Sequence, residues 1–176
     1  GALEFSEKIS KVGTHPIIGT QINLNILTIF GKVSLYATSE NGYKNLTKLS
    51  SISYLENDGK TEPSCNLVEL LENSEDLILL TGNYKNFFGK LFYKNKLKDF
   101  EQILNSFKSS FKDRLYIEIQ RHNEHQEKNF ENYLLNISKS LLIPIIATQE
   151  IYYLNKDMYE AHDALVCIGE KNFVDE

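Results

Sequence analysis

Leu142-Ile-Pro-Ile-Ile-Ala-Thr-Gln-Glu-Ile-Tyr-Tyr153 is the stretch on which the fold turns. A short apolar run behind a proline is the pattern of a strand buried on both faces of a parallel sheet, and the polar residues after it mark where that strand must end. In α/β folds ligands and chemistry gather at the carboxyl ends of strands. Gln149, Glu150 and Tyr152 therefore mark the expected functional edge.

Upstream of this strand the pattern repeats. Phe130, Leu134, Ile137 and Leu141 recur at helical spacing and predict a helix over 126–141, which follows a strand over 114–120 and a polar turn, Arg121-His-Asn-Glu-His125. Before them come a helix over 98–111, with Phe100, Ile103, Leu104 and Phe107 inward, and a four-residue apolar strand, Leu77 to Leu80. Strands separated by helices predict βα units and a mostly parallel sheet or barrel, hence an α/β fold. Downstream, residues 158–168 read as a last helix carrying His162 and Asp163.

The amino-terminal half is more mixed. Residues 2–12 predict an amphipathic helix stopped by Gly13, residues 21–26 alternate as a half-buried strand, and 32–37 form a second strand. Thr38-Ser39-Glu40 supplies capping groups for a helix around 43–49, residues 57–64 read as a surface loop, and 66–72 as a short helix.

At 176 residues the chain can bury one ordinary core. No apolar run approaches the roughly 20 residues needed to cross a bilayer, and no amino-terminal signal pattern is present, so a cytoplasmic protein with no membrane partner is expected. Cys65 and Cys167 lack CxxC spacing and read as reduced thiols. The net charge of −5 argues against a duplex-DNA clamp within this piece. The chain opens on Gly1-Ala-Leu without methionine, the look of an excised fragment.

No phosphate loop, GxGxxG, HExxH or nucleophile elbow occurs. His122 and His125 stand three apart, too few ligands for zinc, and read as solvated. His162-Asp163 are neighbours only, with a surface or capping role. Glu118, inside a strand, is expected to pair with Arg121, with a metal-facing role as the alternative. Phe87, Phe88, Phe92 and Tyr93 interleave with Lys85, Lys90, Lys94, Lys96 and Lys98, which suits either a single-strand platform or core aromatics with lysines in solvent. The helical look favours the core.

Six segments in register then carry a resemblance: Pro16-Ile-Ile-Gly-Thr-Gln21, the run from Ala37 to Ser50, Leu77-Ile-Leu-Leu-Thr-Gly82, Tyr116-Ile-Glu-Ile-Gln-Arg-His122, Ile145 to Leu154, and Ala161-His-Asp-Ala-Leu-Val-Cys-Ile168. Together they resemble the PHP (polymerase and histidinol phosphatase) domain at the amino terminus of bacterial replicative DNA polymerase III alpha subunits. The resemblance implies a distorted (β/α)7 barrel, similar to the TIM barrel, with up to three metals at the carboxyl ends of its strands. Active relatives use such a cluster for phosphoester hydrolysis or a 3′–5′ exonuclease. The opening strands of that fold, with a His-x-His pair and a further Asp and His, would lie before Gly1, so residues 1–176 are expected to form a single partial PHP domain.

The remaining family ligands fail residue by residue. A Glu of the family pattern is Gln21 here, a His is Lys32, a Cys is Asn83, and an Asp and a His are Glu150 and Tyr152. Neutral amides and a lysine suit divalent ions poorly. The resemblance therefore implies a degenerate metal site with no catalytic residue and no metal in this fragment, and a Lys32–Glu150 contact is expected where a metal bridge would be. The domain would support the polymerase core and bind other replisome subunits, the proofreading exonuclease subunit first, with DNA held through other domains. The parent subunit would be a magnesium-dependent DNA-directed DNA polymerase. The competing expectations are a residual metal-dependent exonuclease or phosphoesterase using Glu150, Glu118 and His122, and a stand-alone α/β binding module. Loss of opening strands would also leave an unpaired edge and favour oligomerisation.

Overall fold

Residues 19–37 fold back on themselves as the first hairpin. In a computed structural model, described for residues 1–57, 59 and 62–174, strands β1 (Gly19–Ile26) and β2 (Ile29–Ala37) pair antiparallel from Gly19↔Tyr36 to Ile26↔Ile29. Leu27 and Thr28 close the turn with φ of 51° and 64°. Two left-handed residues in a two-residue loop match the strand twist, although Asn or Gly is the usual choice there.

β2 next pairs antiparallel with β3 (Leu77–Leu80), and β3, β4 (Leu115–Ile119) and β5 (Ile145–Ala147) run parallel, giving one five-stranded sheet in the order β1-β2-β3-β4-β5. The expected α/β class holds. The sheet is mixed rather than mostly parallel: β1 and β2 join through a tight turn, and β3 runs antiparallel to β2 although α2 and α3 lie between them. Seven α-helices accompany it among the described residues: α1 (Ala2–Lys11), α2 (Glu40–Leu55), α3 (Leu67–Glu72), α4 (Phe87–Tyr93), α5 (Leu97–Phe111), α6 (Glu127–Leu141) and α7 (Tyr159–Glu170). The predicted loop over 57–64 falls partly outside the described residues, at 58, 60 and 61.

Alternation divides the sheet into two faces. Ile22, Leu24, Ile26, Ile29, Val33, Leu35, Leu79, Leu115 and Ile117 are buried in one core with side chains from α2, α4, α5 and α6. The aromatics of α4 belong to that core: the Phe88 ring meets Phe87, Phe100 and Phe107 edge-on at 5.4, 4.9 and 5.7 Å. Their interleaved lysines are not simply in solvent, however. Lys90 Nζ donates to Phe30 O at 2.9 Å and Lys96 Nζ to Leu27 O at 3.3 Å, tying α4 to the hairpin turn.

Side-chain caps mark the starts of two of the seven helices, α2 and α3. Ser39 caps α2 by accepting from Gly42 N at 3.1 Å, and Asn66 and Glu69 form a reciprocal capping box at α3. Asp76 anchors the start of α2: its carbonyl accepts from Thr38 Oγ1 and its carboxylate from Ser39 Oγ.

Two expectations fail at the margins. β5 pairs with β4 alone and is exposed on both faces, with Ile145 and Ile146 at 42% and 37%, so the apolar run marked a strand correctly but not its burial. It lies at the sheet edge, paired with β4 alone among the described residues. The helix over 2–12 is present as α1, yet Leu3, Phe5 and Val12 are exposed and none of its residues is buried.

Candidate functional site

The face opposite the core is polar where the parallel strands end. Gln21 registers with Ser34, Ser34 with Leu80 and Leu80 with Tyr116, so Gln21, Ser34, Tyr116 and, two residues on, Glu118 share that face; Lys32, opposite Asn23, lies on it as well. Glu118 is 4% exposed. Such burial requires partners for its carboxylate.

Those partners are neutral. Gln120 Nε2 donates to Glu118 Oε1 at 3.1 Å and to Thr148 Oγ1 at 3.0 Å, and Thr148 Oγ1 donates to Glu118 Oε1. The Gln120 carbonyl accepts from Asn83 Nδ2 at 2.8 Å. Thr81 Oγ1 completes the set by accepting from the Glu118 backbone N–H at 3.0 Å. One carboxamide thus links the segments that follow β3, β4 and β5. On the same face, burial and then the Glu118 charge push the Tyr36 phenol above its ordinary pKa.

A second cluster pins the turn after β4. Glu127, 8% exposed in the first turn of α6, accepts the backbone N–H of His122 at 2.8 Å and of Glu124 at 3.1 Å, with His122 Nδ1 also 3.1 Å away. Burial raises the Glu127 pKa, but these donors outweigh it and the net shift is downward. Glu124 takes Lys85 Nζ at 2.8 Å and the Tyr84 hydroxyl, and both hold its pKa down. His122 and His125 are both exposed, as expected, and His122 in addition bonds to Glu127.

Arg121 reaches Glu131, at 2.6 and 2.9 Å, and not Glu118. Strand alternation points neighbours of odd spacing to opposite faces, which is why the expected Glu118–Arg121 pair does not form. Nor does a Lys32–Glu150 pair occur among the described residues. The Glu150 carboxylate instead accepts the Tyr152 hydroxyl, whose pKa is raised by that bond and then by burial. His162 lies with its ring 5.3 and 5.4 Å from those of Tyr152 and Tyr153, in place of a capping role. Of the five sequence-predicted site residues, only Asn83 joins the network around Glu118.

A family model described as PHP domain matches residues 1–122. The chain belongs to the PHP domain family. It is also similar to the DNA polymerase III subunit alpha of Rickettsia bellii, 37% identical over 96% of this chain and 14% of that protein. The subunit of the same name from Caulobacter vibrioides is 35% identical over 99% of this chain and 16% of its own length, and that of Thermus aquaticus 29% over 100% and 15%. This PHP domain thus spans about one-seventh of the curated relatives it matches.

The residues of this PHP domain fit a divalent-metal cluster poorly. Among those described, no three His, Cys, Asp or Glu side chains come together as ligands. The direct partners of Glu118 are an amide and hydroxyls, and a cavity of about 10 Å³ lined by Asn83, Glu118, Gln120, Glu127 and Glu131 has room for about one water; Glu127 is held by backbone N–H groups and Glu131 by Arg121. Gln120 and Thr148 were not singled out by the sequence. Their signal is faint but present: Tyr116, Glu118 and Gln120 alternate with Leu115, Ile117 and Ile119, which is a polar face where a strand buried in apolar surroundings would show none.

Proposed function

We propose that residues 1–176 are a single, partial PHP domain of a DNA polymerase III alpha subunit in which internal hydrogen bonds stand where metal ions would be held, and which performs no hydrolysis. The observation that carries this reading is Gln120, whose amide is shared among Asn83, Glu118 and Thr148. A cation at Glu118 Oε1 would compete with the Gln120 and Thr148 donors, while the neighbouring carboxylates Glu127 and Glu131 are engaged by backbone N–H groups and by Arg121. Gln21, Lys32, Asn83, Glu150 and Tyr152 are the corresponding degenerate positions, and none has a catalytic part. The parallel β3–β5 with their helices support the finer architecture we propose, a portion of a distorted (β/α)7 barrel lacking its opening strands.

The role that follows is structural and subunit-binding. The similarity to alpha subunits over nearly the whole chain supports placing it in a cytoplasmic replicative polymerase, joined to the rest of that subunit and to the proofreading exonuclease subunit. Magnesium-dependent nucleotidyl transfer, and contact with DNA for that reaction, belong to other domains of the parent protein.

The test uses the full-length polypeptide, purified free of other subunits in manganese and zinc. It is expected to hold no stoichiometric metal attributable to this domain and to leave single-stranded DNA intact. Two or three tightly held ions with chelator-sensitive 3′–5′ cleavage would overturn the proposal in favour of a working exonuclease.

A further inference from the structure

The charge of this chain is unevenly distributed. Residues 77–98 hold five of its 19 lysines and arginines and none of its 24 aspartates and glutamates, although the whole carries −5. Three lysines outside this segment sit on acids one helical turn away: Lys8 on Glu4, Lys11 on Glu7, Lys44 on Glu40. In the 77–98 segment, among the described residues, Lys85 alone has an ion pair, with Glu124 from the turn after β4.

The fold collects the other four around the junction of α4 and α5. Lys90 and Lys96 both reach main-chain carbonyls of the β1–β2 hairpin, Phe30 O at 2.9 Å and Leu27 O at 3.3 Å. A carbonyl fixes an ammonium without cancelling its charge, so these two are positioned and still cationic. Lys94 and Lys98 are exposed and, among the described residues, form no ion pair. Beside them Tyr93 is 41% exposed, its hydroxyl held by Gln126 O, so the ring is fixed while part of its surface stays open.

We propose that this surface, formed by Lys90, Lys94, Lys96 and Lys98 with Tyr93, binds the phosphodiester backbone of a single DNA strand. Charge complementarity selects a polyanion, and an anchored aromatic among lysines selects one with exposed bases to stack. Four lysines on a short surface suit a few phosphates of a flexible strand better than the long footprint of a duplex. The inference goes beyond the function proposed above and does not depend on whether the strand-end site holds metal.

The experiment is fluorescence anisotropy of a labelled oligothymidylate with the full-length polypeptide across a salt series. Among the described residues the Lys94 and Lys98 ammonium groups have no ion pair, so Lys94→Glu and Lys98→Glu are expected to retain the parent circular dichroism. Each is expected to weaken binding several-fold and to make the log-affinity against log-salt slope shallower by about 0.7. Lys8→Glu and Lys11→Glu, on α1, serve as controls and should leave the slope unchanged. An unaltered slope in the Lys94 and Lys98 variants would overturn the proposal. Displacement of the oligonucleotide by polyglutamate at equal charge would overturn it too, and would assign the surface to an acidic protein segment.

Discussion

Gln120 Nε2 lies 3.1 Å from Glu118 Oε1, two residues back along the same face of β4. The amide there is a neutral donor beside a buried carboxylate, and the same group also reaches Thr148 and Asn83. Gln120→Leu is expected to leave the Asn83 amide without its acceptor and to strip a donor from both Glu118 and Thr148. A buried polar group left unpaired costs about 1–3 kcal/mol, and Asn83 and Thr148 are half-buried while Glu118 keeps the Thr148 donor, so the loss should fall near the lower end. The urea midpoint should fall accordingly, and an unchanged midpoint would show that the network contributes nothing to stability.

Gly42 lies inside α2, where exchanging glycine for alanine ordinarily gains about 1 kcal/mol. Here a Cβ would come 2.1 Å from the carbonyl oxygen of Asp76, which is itself bonded to Thr38. Gly42→Ala should therefore destabilise, by about 1–3 kcal/mol. The sign of the melting-temperature change is the readout: a rise would mean that Asp76 moves aside freely.

Leu142 presents the reverse case. It closes α6 in the left-handed conformation, φ 53° and ψ 42°, with its side chain 84% exposed. A leucine there bears a steric cost of about 1–2 kcal/mol that glycine avoids. Leu142→Gly should raise the melting temperature by a few degrees, and a drop in chemical denaturation would count against the strain.

The carboxylates of Glu124, Glu127 and Glu131 all have pKa values held below the ordinary 4.5 in the folded chain. A group whose folded pKa is depressed contributes stability above its unfolded pKa and loses it as the pH falls through the folded value. Stability should thus be level near neutrality and decline below about pH 4.5. Glu127→Gln should be less stable at pH 7 and show a shallower acid decline; parallel acid curves for the two proteins would exclude Glu127 as a source.

Much of this fold was legible in the letters. Leu77–Leu80 is a strand at its predicted bounds, and α3, α5, α6 and α7 fall within two residues of expectation, because apolar period and turn chemistry agree there. The first hairpin was harder: Leu27-Thr28 adopts two positive φ values without the Asn or Gly that would announce them, and so the antiparallel start was hidden. The site was legible by half. Asn83 bonds to Gln120 at the strand ends, Glu150 and Tyr152 satisfy each other at a distance of two residues, and Gln120 and Thr148 meet only because parallel strands bring their ends together. No sequence period reports which ends become neighbours.

The bare edge at β5 has a consequence for how the molecule opens. Three residue pairs hold β5 to β4, and α7 beyond it buries none of its residues, whereas β2 and β3 contribute Val33, Leu35, Leu77 and Leu79 to the core at 0% exposure. Amide protons in α7 should exchange with deuterium at a small fraction of the free energy that protects β2 and β3. The chain is thus a graded object, with a cooperative block from the hairpin through α6 and a carboxyl-terminal flap that unfolds well before it.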